Sequence, residues 1–251
     1  MKRISIITIM LVLISASFNI TLAQEKKALK PELGCDIVTS YIWRGSAVYS
    51  TQGAQNSLAP SFQPGFSLNY SGLELGTWGS VDFTGTYKEF DYFLAYTLEG
   101  FTLTYSDYYW ANDWIVDNYF NYKSDSTSHY LEAALSYKGE KIPISFLVAT
   151  MFYGADKKFE DPSKNNYSTY IEAGYALFLQ DFRFDLFLGV TPMDGFYGDG
   201  YGGKGGFAIV NAGVTGSRTL EITEKFSLPL KASVIVNPQA RKLFLVFGIT
   251  L

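Results

Sequence analysis

The sequence has one cysteine and one histidine in 251 residues. A lone Cys35 excludes any internal disulfide. With His129 as the one histidine, no zinc-ligand spacing exists either. Charge is also scarce: charged residues make up 18% of the chain, below the quarter usual in soluble domains. There is no basic excess, since 20 Lys and Arg face 24 Asp and Glu for a net −4, which argues against a nucleic-acid partner. Long apolar runs are missing apart from one near the start, and no amphipathic helical stripe or domain linker interrupts the chain. A helical membrane protein and a multidomain enzyme are both poor fits.

The single apolar run belongs to an export signal. Lys2-Arg3 is followed by apolar Ile4 to about Ile14, and Thr21-Leu22-Ala23 supplies small residues for cleavage before Gln24. The run is too short for a comfortable membrane span. Residues 1–23 are therefore expected to be a signal peptide and 24–251 a single domain. Loss of Lys2 and Arg3 takes the net charge from −4 to −6. Leu33-Gly34-Cys35 faintly resembles a lipid-attachment box but lies too far from the apolar run, so Cys35 reads as an apolar strand residue.

Aromatic residues are abundant, at 17% of the chain with 19 Tyr and 20 Phe, and apolar residues alternate with polar ones almost throughout. The run 62–70 places Phe62, Phe66, Leu68 and Tyr70 on one face and Gln63, Ser67 and Asn69 on the other. The run 73–83 opposes Leu73, Leu75, Val81 and Phe83 to Glu74, Ser80 and Asp82. Similar runs occur at 36–44, 89–98, 101–106, 130–137, 142–152, 168–178, 182–191, 207–222, 226–236 and 242–251, with the two faces of 142–152 less distinct. Most are about ten residues, the length that crosses a bilayer as a tilted strand. Tight turns such as Ser71-Gly72, Glu99-Gly100 and Gln180-Asp181 follow every even-numbered run, whereas most connections after odd-numbered runs are long. A soluble sandwich gives no reason for that asymmetry. The pattern predicts an all-β fold, a transmembrane antiparallel up-and-down β-barrel of about 12 strands, monomeric, in the bacterial outer membrane with lipid around it. Tyr41, Trp43, Tyr70, Tyr105 and Trp110, near strand ends, suit the aromatic girdles at the interfaces.

The opening stretch resembles the TorF-type family, classed as outer-membrane porins. The matching residues are Ser40-Tyr41-Ile42-Trp43-Arg44-Gly45, then Pro60, Gln63 and Gly65, then Gly72, Gly76, Trp78 and Ser80. Glu89-Phe90-Asp91 with Tyr96 resembles the family's next strand, where Ala95 stands in place of the expected glycine. The resemblance covers about the first third of the exported chain. It implies an outer-membrane barrel and brings no established substrate and no catalytic residue. The final Leu251 departs from the terminal aromatic common in outer-membrane proteins.

Sites of other kinds find little support. Ser128 and His129 are adjacent, so on a strand they point to opposite faces and cannot pair; Leu131, which shares the face of His129, is no nucleophile. The run 198–206 is rich in glycine around Lys204 but lacks the Ser or Thr of a phosphate loop and opens no helix. Asp194 and Asp199 match no calcium-loop spacing. No cofactor and no enzymatic activity is expected. Tyr108-Tyr109-Trp110 reads as girdle rather than as a sugar platform.

Parity places Arg44, Glu74, Asp82, Glu89, Asp91, Glu132, Glu172, Arg183, Asp185 and Lys231 in the lumen. They either pair into a network that fills a narrow barrel or line a pore and set its ion preference, and the two arrangements are compatible in different layers. The function expected is a channel for small polar solutes or ions. Acidic residues outnumber basic ones among the ten, so a modest cation preference is expected, with Glu89 and Asp91 as its acidic patch. The alternative is a closed structural or surface-binding barrel that acts through its external loops.

Overall fold

The structure, a computed structural model, describes residues 28–48, 59–85, 87–112, 118–197 and 206–251. The signal segment and most of the glycine-rich run, including Asp199 and Lys204, lie outside the described residues. Twelve antiparallel strands close into one barrel. They are β1 (Lys30–Val38), β4 (Ser61–Tyr70), β5 (Leu73–Asp82), β6 (Tyr87–Leu98), β7 (Phe101–Asn112), β8 (His129–Lys138), β9 (Ile144–Gly154), β10 (Thr169–Leu179), β11 (Phe182–Thr191), β12 (Ala208–Thr223), β13 (Phe226–Asn237) and β14 (Lys242–Thr250). Two short strands, β2 (Ile42–Trp43) and β3 (Ser46–Ala47), pair only with each other.

Each wall strand pairs with its neighbours in sequence, and the circle closes between β1 and β14. That seam is short, with the register Asp36↔Thr250, Ile37↔Ile249 and Val38↔Gly248. The opposite edge of β1 pairs along its full length with β4. Two-residue turns join the strands at one end of the barrel, except between β8 and β9, where residues 139–143 intervene. At Ser71-Gly72 and Glu99-Gly100 both residues have positive φ, the conformation whose twist matches the strands it joins. The opposite end carries the longer connections.

The apolar sides of the strands face out. Phe62, Phe66, Leu75, Leu94, Leu103, Leu135, Leu186, Leu245 and Phe247 are all exposed, Leu186 at 41% and Leu245 at 58%. A belt of that extent is unsuited to water and suited to hydrocarbon. Closure matches the same solvent, because a closed sheet leaves no backbone group unpaired along its edges. Tyr70 and Tyr105 belong to this exposed outer surface.

The first run of the sequence is divided differently from expectation. The strand over 36–44 is instead β1, which starts at Lys30 and leaves the wall after Val38. The chain then turns inward and forms the β2–β3 hairpin. Arg44 is therefore on a plug and not on the wall. The 101–106 run extends to Asn112, which carries Tyr108 and Trp110 to the inside. Tyr41, Trp43 and Trp110 are accordingly lumen residues rather than girdle. Trp43 packs against Tyr108, Trp110, Phe196 and Tyr197.

The indistinct faces of β9 have a matching cause. Met151 is buried in the same cluster as Tyr170, Tyr197 and Val210, and Leu147 packs against it. Inward positions there touch apolar rings instead of water. A bulge opposite Leu131 and Glu132 also breaks the strict alternation.

Candidate functional site: the plugged lumen

The plug begins with a tight turn. Arg44 and Gly45 both have positive φ, at 49° and 78°, so the hairpin reverses in two residues. Gly45 is needed for a second reason: a Cβ there would lie 1.9 Å from the Val210 carbonyl oxygen of β12. The Gly45 carbonyl accepts a hydrogen bond from Asn237 Nδ2 at 3.0 Å. The hairpin tip is thus seated directly on the wall.

Arg44 is the centre of the plug. Its Nη2 donates to Glu132 Oε1 at 2.8 Å and its Nη1 to Oε2 at 2.5 Å, a two-pronged pair. It also donates to the Tyr197 hydroxyl. Glu132 is 1% exposed, and its Oε1 accepts from the Tyr108 hydroxyl at 2.9 Å. Rings surround the guanidinium: its carbon lies 4.5 Å from the Trp43 ring centre and 4.9 Å from that of Tyr170. A buried cation needs this set of acceptors and ring faces to offset its lost hydration.

The remaining charges sort by depth. Near the loop end, Glu89, Asp91 and Asp82 are buried. Glu89 accepts from the Tyr87 hydroxyl and from Trp110 Nε1, both at 2.7 Å. Asp91 accepts from the Tyr109 amide at 3.3 Å, and Asp82 from the Thr84 hydroxyl at 2.8 Å. Toward the turn end, Glu74, Arg183, Asp185 and Lys231 are half-exposed, as is Glu172, which lies nearer the loop end of β10. Arg183 holds Asp185 through Nε and Nη2. Lys231 pairs with Asp36 on β1, while Thr250 donates to the same carboxylate at 2.6 Å. Tyr170 and Asn211 donate to Glu172. The ten charges thus form a buried network with the plug in one half and a more open lining in the other. Glu89 and Asp91, expected as the acidic patch of an open pore, are occupied by tyrosine and tryptophan partners in this state.

Sequence reasoning missed two features. The first is the plug itself, because β2 and β3 are too short to show a period. The second lies on the outside of the wall. Asp107 and His129 share the outward face with Tyr92 and Tyr105, yet Asp107 is 7% and His129 0% exposed. The segment after β7 covers them. His129 Nδ1 lies 2.7 Å from Asp107 Oδ1, and its Nε2 lies 2.6 Å from the Tyr119 carbonyl. A carbonyl can only accept, so Nε2 carries a proton. The Tyr122 hydroxyl donates to Asp107 at 2.7 Å, and its ring stacks on His129 at 4.0 Å. Both imidazole nitrogens are engaged, so the histidine serves as a peg for the loop. An aspartate beside a histidine was not visible from spacings of 22 residues.

At the loop end the connection between β9 and β10 is also ordered. Asp156 accepts from the Ser168 amide at 2.8 Å and from its hydroxyl at 2.7 Å. Burial raises the Asp156 pKa above the ordinary carboxyl value, while these two bonds pull it back. Among the described residues no group of three His, Cys, Asp or Glu comes together to hold a metal ion.

No family model matches the chain, and no curated protein does. Among solved structures the chain is similar to Salmonella typhi OmpF in complex with daunomycin, at 11% sequence identity and a TM-score of 0.38, over 88% of this chain and 96% of that one. So loose a superposition carries nothing about function.

Proposed function

We propose that this chain is an outer-membrane barrel of the TorF-type porin kind. It conducts small polar solutes or ions along its lumen and is held shut here by the β2–β3 plug. The observation that carries the reading is the plug's attachment. Beyond the packing of Trp43 and Ile42, the hairpin is held by one guanidinium paired with the Glu132 carboxylate inside the lumen, an attachment that a purely apolar filler would not need. When Arg44 leaves, Glu89, Asp91 and Glu132 face the opened path. Together with Glu74 and Glu172 they make the lumen acidic, and a narrow channel with low-dielectric walls concentrates cations accordingly. The residues Tyr41, Trp43, Arg44 and Gly45, which carry the family resemblance, are the ones that build the plug.

The second reading is a closed barrel that binds partners at its surface, and the order of the 118–128 and 155–168 connections favours it. Planar-bilayer recording separates the two. The channel should give rare stepwise openings in the wild type, and Arg44→Ala should raise the open fraction at least tenfold. Silence from both proteins would leave the closed surface-binding barrel as the function.

A further inference from the structure

Outside the plug, the loop end holds a cavity of about 170 Å³ whose lining includes Tyr130, Asp156, Lys157, Phe159, Asn166 and Phe196. This is smaller than the roughly 300–1,000 Å³ that takes a drug-sized ligand, and it suits a single ring. Its walls are of two kinds. Phe196 and Tyr130 have ring centres 6.0 Å apart, and Phe159 stands 80% exposed. The polar side comprises a carboxylate, an ammonium and an amide.

The polar groups are fixed and still have capacity. Lys157 Nζ donates to Ser124 Oγ and Asn165 Oδ1, each at 2.6 Å, which uses two of its three protons. Each Asp156 oxygen accepts one bond from Ser168, the Tyr167 amide bonds the same carboxylate, and of its four lone-pair sites one is left. The Phe196 amide donates to Ser168 Oγ at 2.8 Å. That bond ties the aromatic wall to the acidic one, so the cavity is built before any ligand arrives.

We propose that this cavity is a saccharide subsite, in which a pyranose ring lays its C–H face on the aromatic side chains and directs hydroxyls to Asp156, Lys157 and Asn166. Aromatic faces carry negative charge density that suits the polarised C–H groups of a sugar. Donors and acceptors side by side match hydroxyls, which are both. The subsite also touches the gate. Phe196 packs against Trp110 in a tilted arrangement at 5.3 Å and meets Trp43 edge-on at 5.9 Å, and the next residue, Tyr197, is a partner of Arg44. A bound sugar thus sits against the plug. As the solute class of the lumen, this inference rests on the channel reading; as a binding site it stands without it.

Trp110 lies 4.2 Å from Tyr130, so tryptophan emission of the full-length protein in detergent reports occupancy. Maltotriose and chitotriose are the probes, with mannitol as a polyol that has no ring face. The expected result is a saturable change with at least one trisaccharide, none with mannitol, and at least tenfold weaker binding in Phe159→Ala, whose exposed side chain leaves the fold unchanged. No saturable change with either sugar, or equal binding by the variant, would overturn the subsite. Binding retained by a protein silent in bilayers would remove the channel and keep the subsite; conduction without binding would do the reverse.

Discussion

His129 shows how much depends on a residue's partners. It lies on the outward side of the wall, where an ionisable group is costly, and it is fully buried by the segment that follows β7. Both ring nitrogens are bonded, and Asp107 is shared with Tyr122. Removing one member of a buried hydrogen-bonded pair costs about 1–3 kcal/mol, because the other's polar group is left unsatisfied. His129→Ala is therefore expected to release the 118–128 connection while the barrel persists. Limited proteolysis should then cut near Lys123 at least tenfold faster than in the wild type, with the core fragment intact. A cleavage rate equal to the wild type would mean that Tyr153, whose hydroxyl donates to the Tyr122 carbonyl at 2.7 Å, suffices to hold the loop. The pairing of His129 with Asp107 was invisible in sequence because register, not spacing, brings the two strands' residues side by side.

The strands are the elements that the sequence announces best. Their period of two follows from a wall with lipid on one side and lumen on the other, and runs such as 73–83 and 182–191 fall within one residue of β5 and β11. Parity then decides facing. Leu245→Arg, on the outward face, should cost about 2–4 kcal/mol, with far less for an inward arginine at Thr215; urea titration of the protein reconstituted in lipid measures both. In a Cys35→Ser background, a membrane-impermeant thiol reagent should label Asp185→Cys in preference to Leu186→Cys. Where period fails, something other than lipid or water touches the strand. At β9 the inward Met151 and Leu147 join the cluster of Tyr170, Tyr197 and Val210, and at Tyr41–Arg44 the alternating pattern continues although the chain has already left the wall. Alternation records two unlike environments and does not say which two.

At the scale of the whole molecule, the lumen divides into a sealed half and an open half, and each has its own test. With the plug in place, water-facing charge is dominated by Glu74 and Glu172, since Arg183 is paired with Asp185 and Lys231 with Asp36. Glu74→Gln with Glu172→Gln should lower the cation preference of any basal conductance. Glu89→Gln with Asp91→Asn should do so only in an Arg44→Ala background. Reversal potentials under a salt gradient read both, and the differences should shrink at 1 M salt, where the Debye length is about 3 Å. An unchanged reversal potential in the quadruple variant with Arg44→Ala would remove the acidic lumen as the source of selectivity. Arg44 stands on the hairpin, but for the other nine the shared strand face was legible from parity. Their division by depth was not, because it is set by a hairpin only two residues long on each side.

The short seam adds a mechanical consequence. The β1–β14 ladder is the shortest joint in the hoop, with three paired positions flanked by backbone bonds between Cys35 and Leu251 and from Thr39 to Phe247, and it is reinforced from within. Asp36 of β1 is held by Lys231 of β13 and Thr250 of β14. The hairpin that continues from β1 reaches over the joint to seat Gly45 against Val210 and Asn237. The plug is thus also a clasp. The first strand must meet the last to close the hoop, and the hairpin's contacts with β12 and β13 hold β1 beside that joint. Once the hoop is shut, removing the plug loosens the buckle, because the segment 39–48 that fills the lumen also holds the wall.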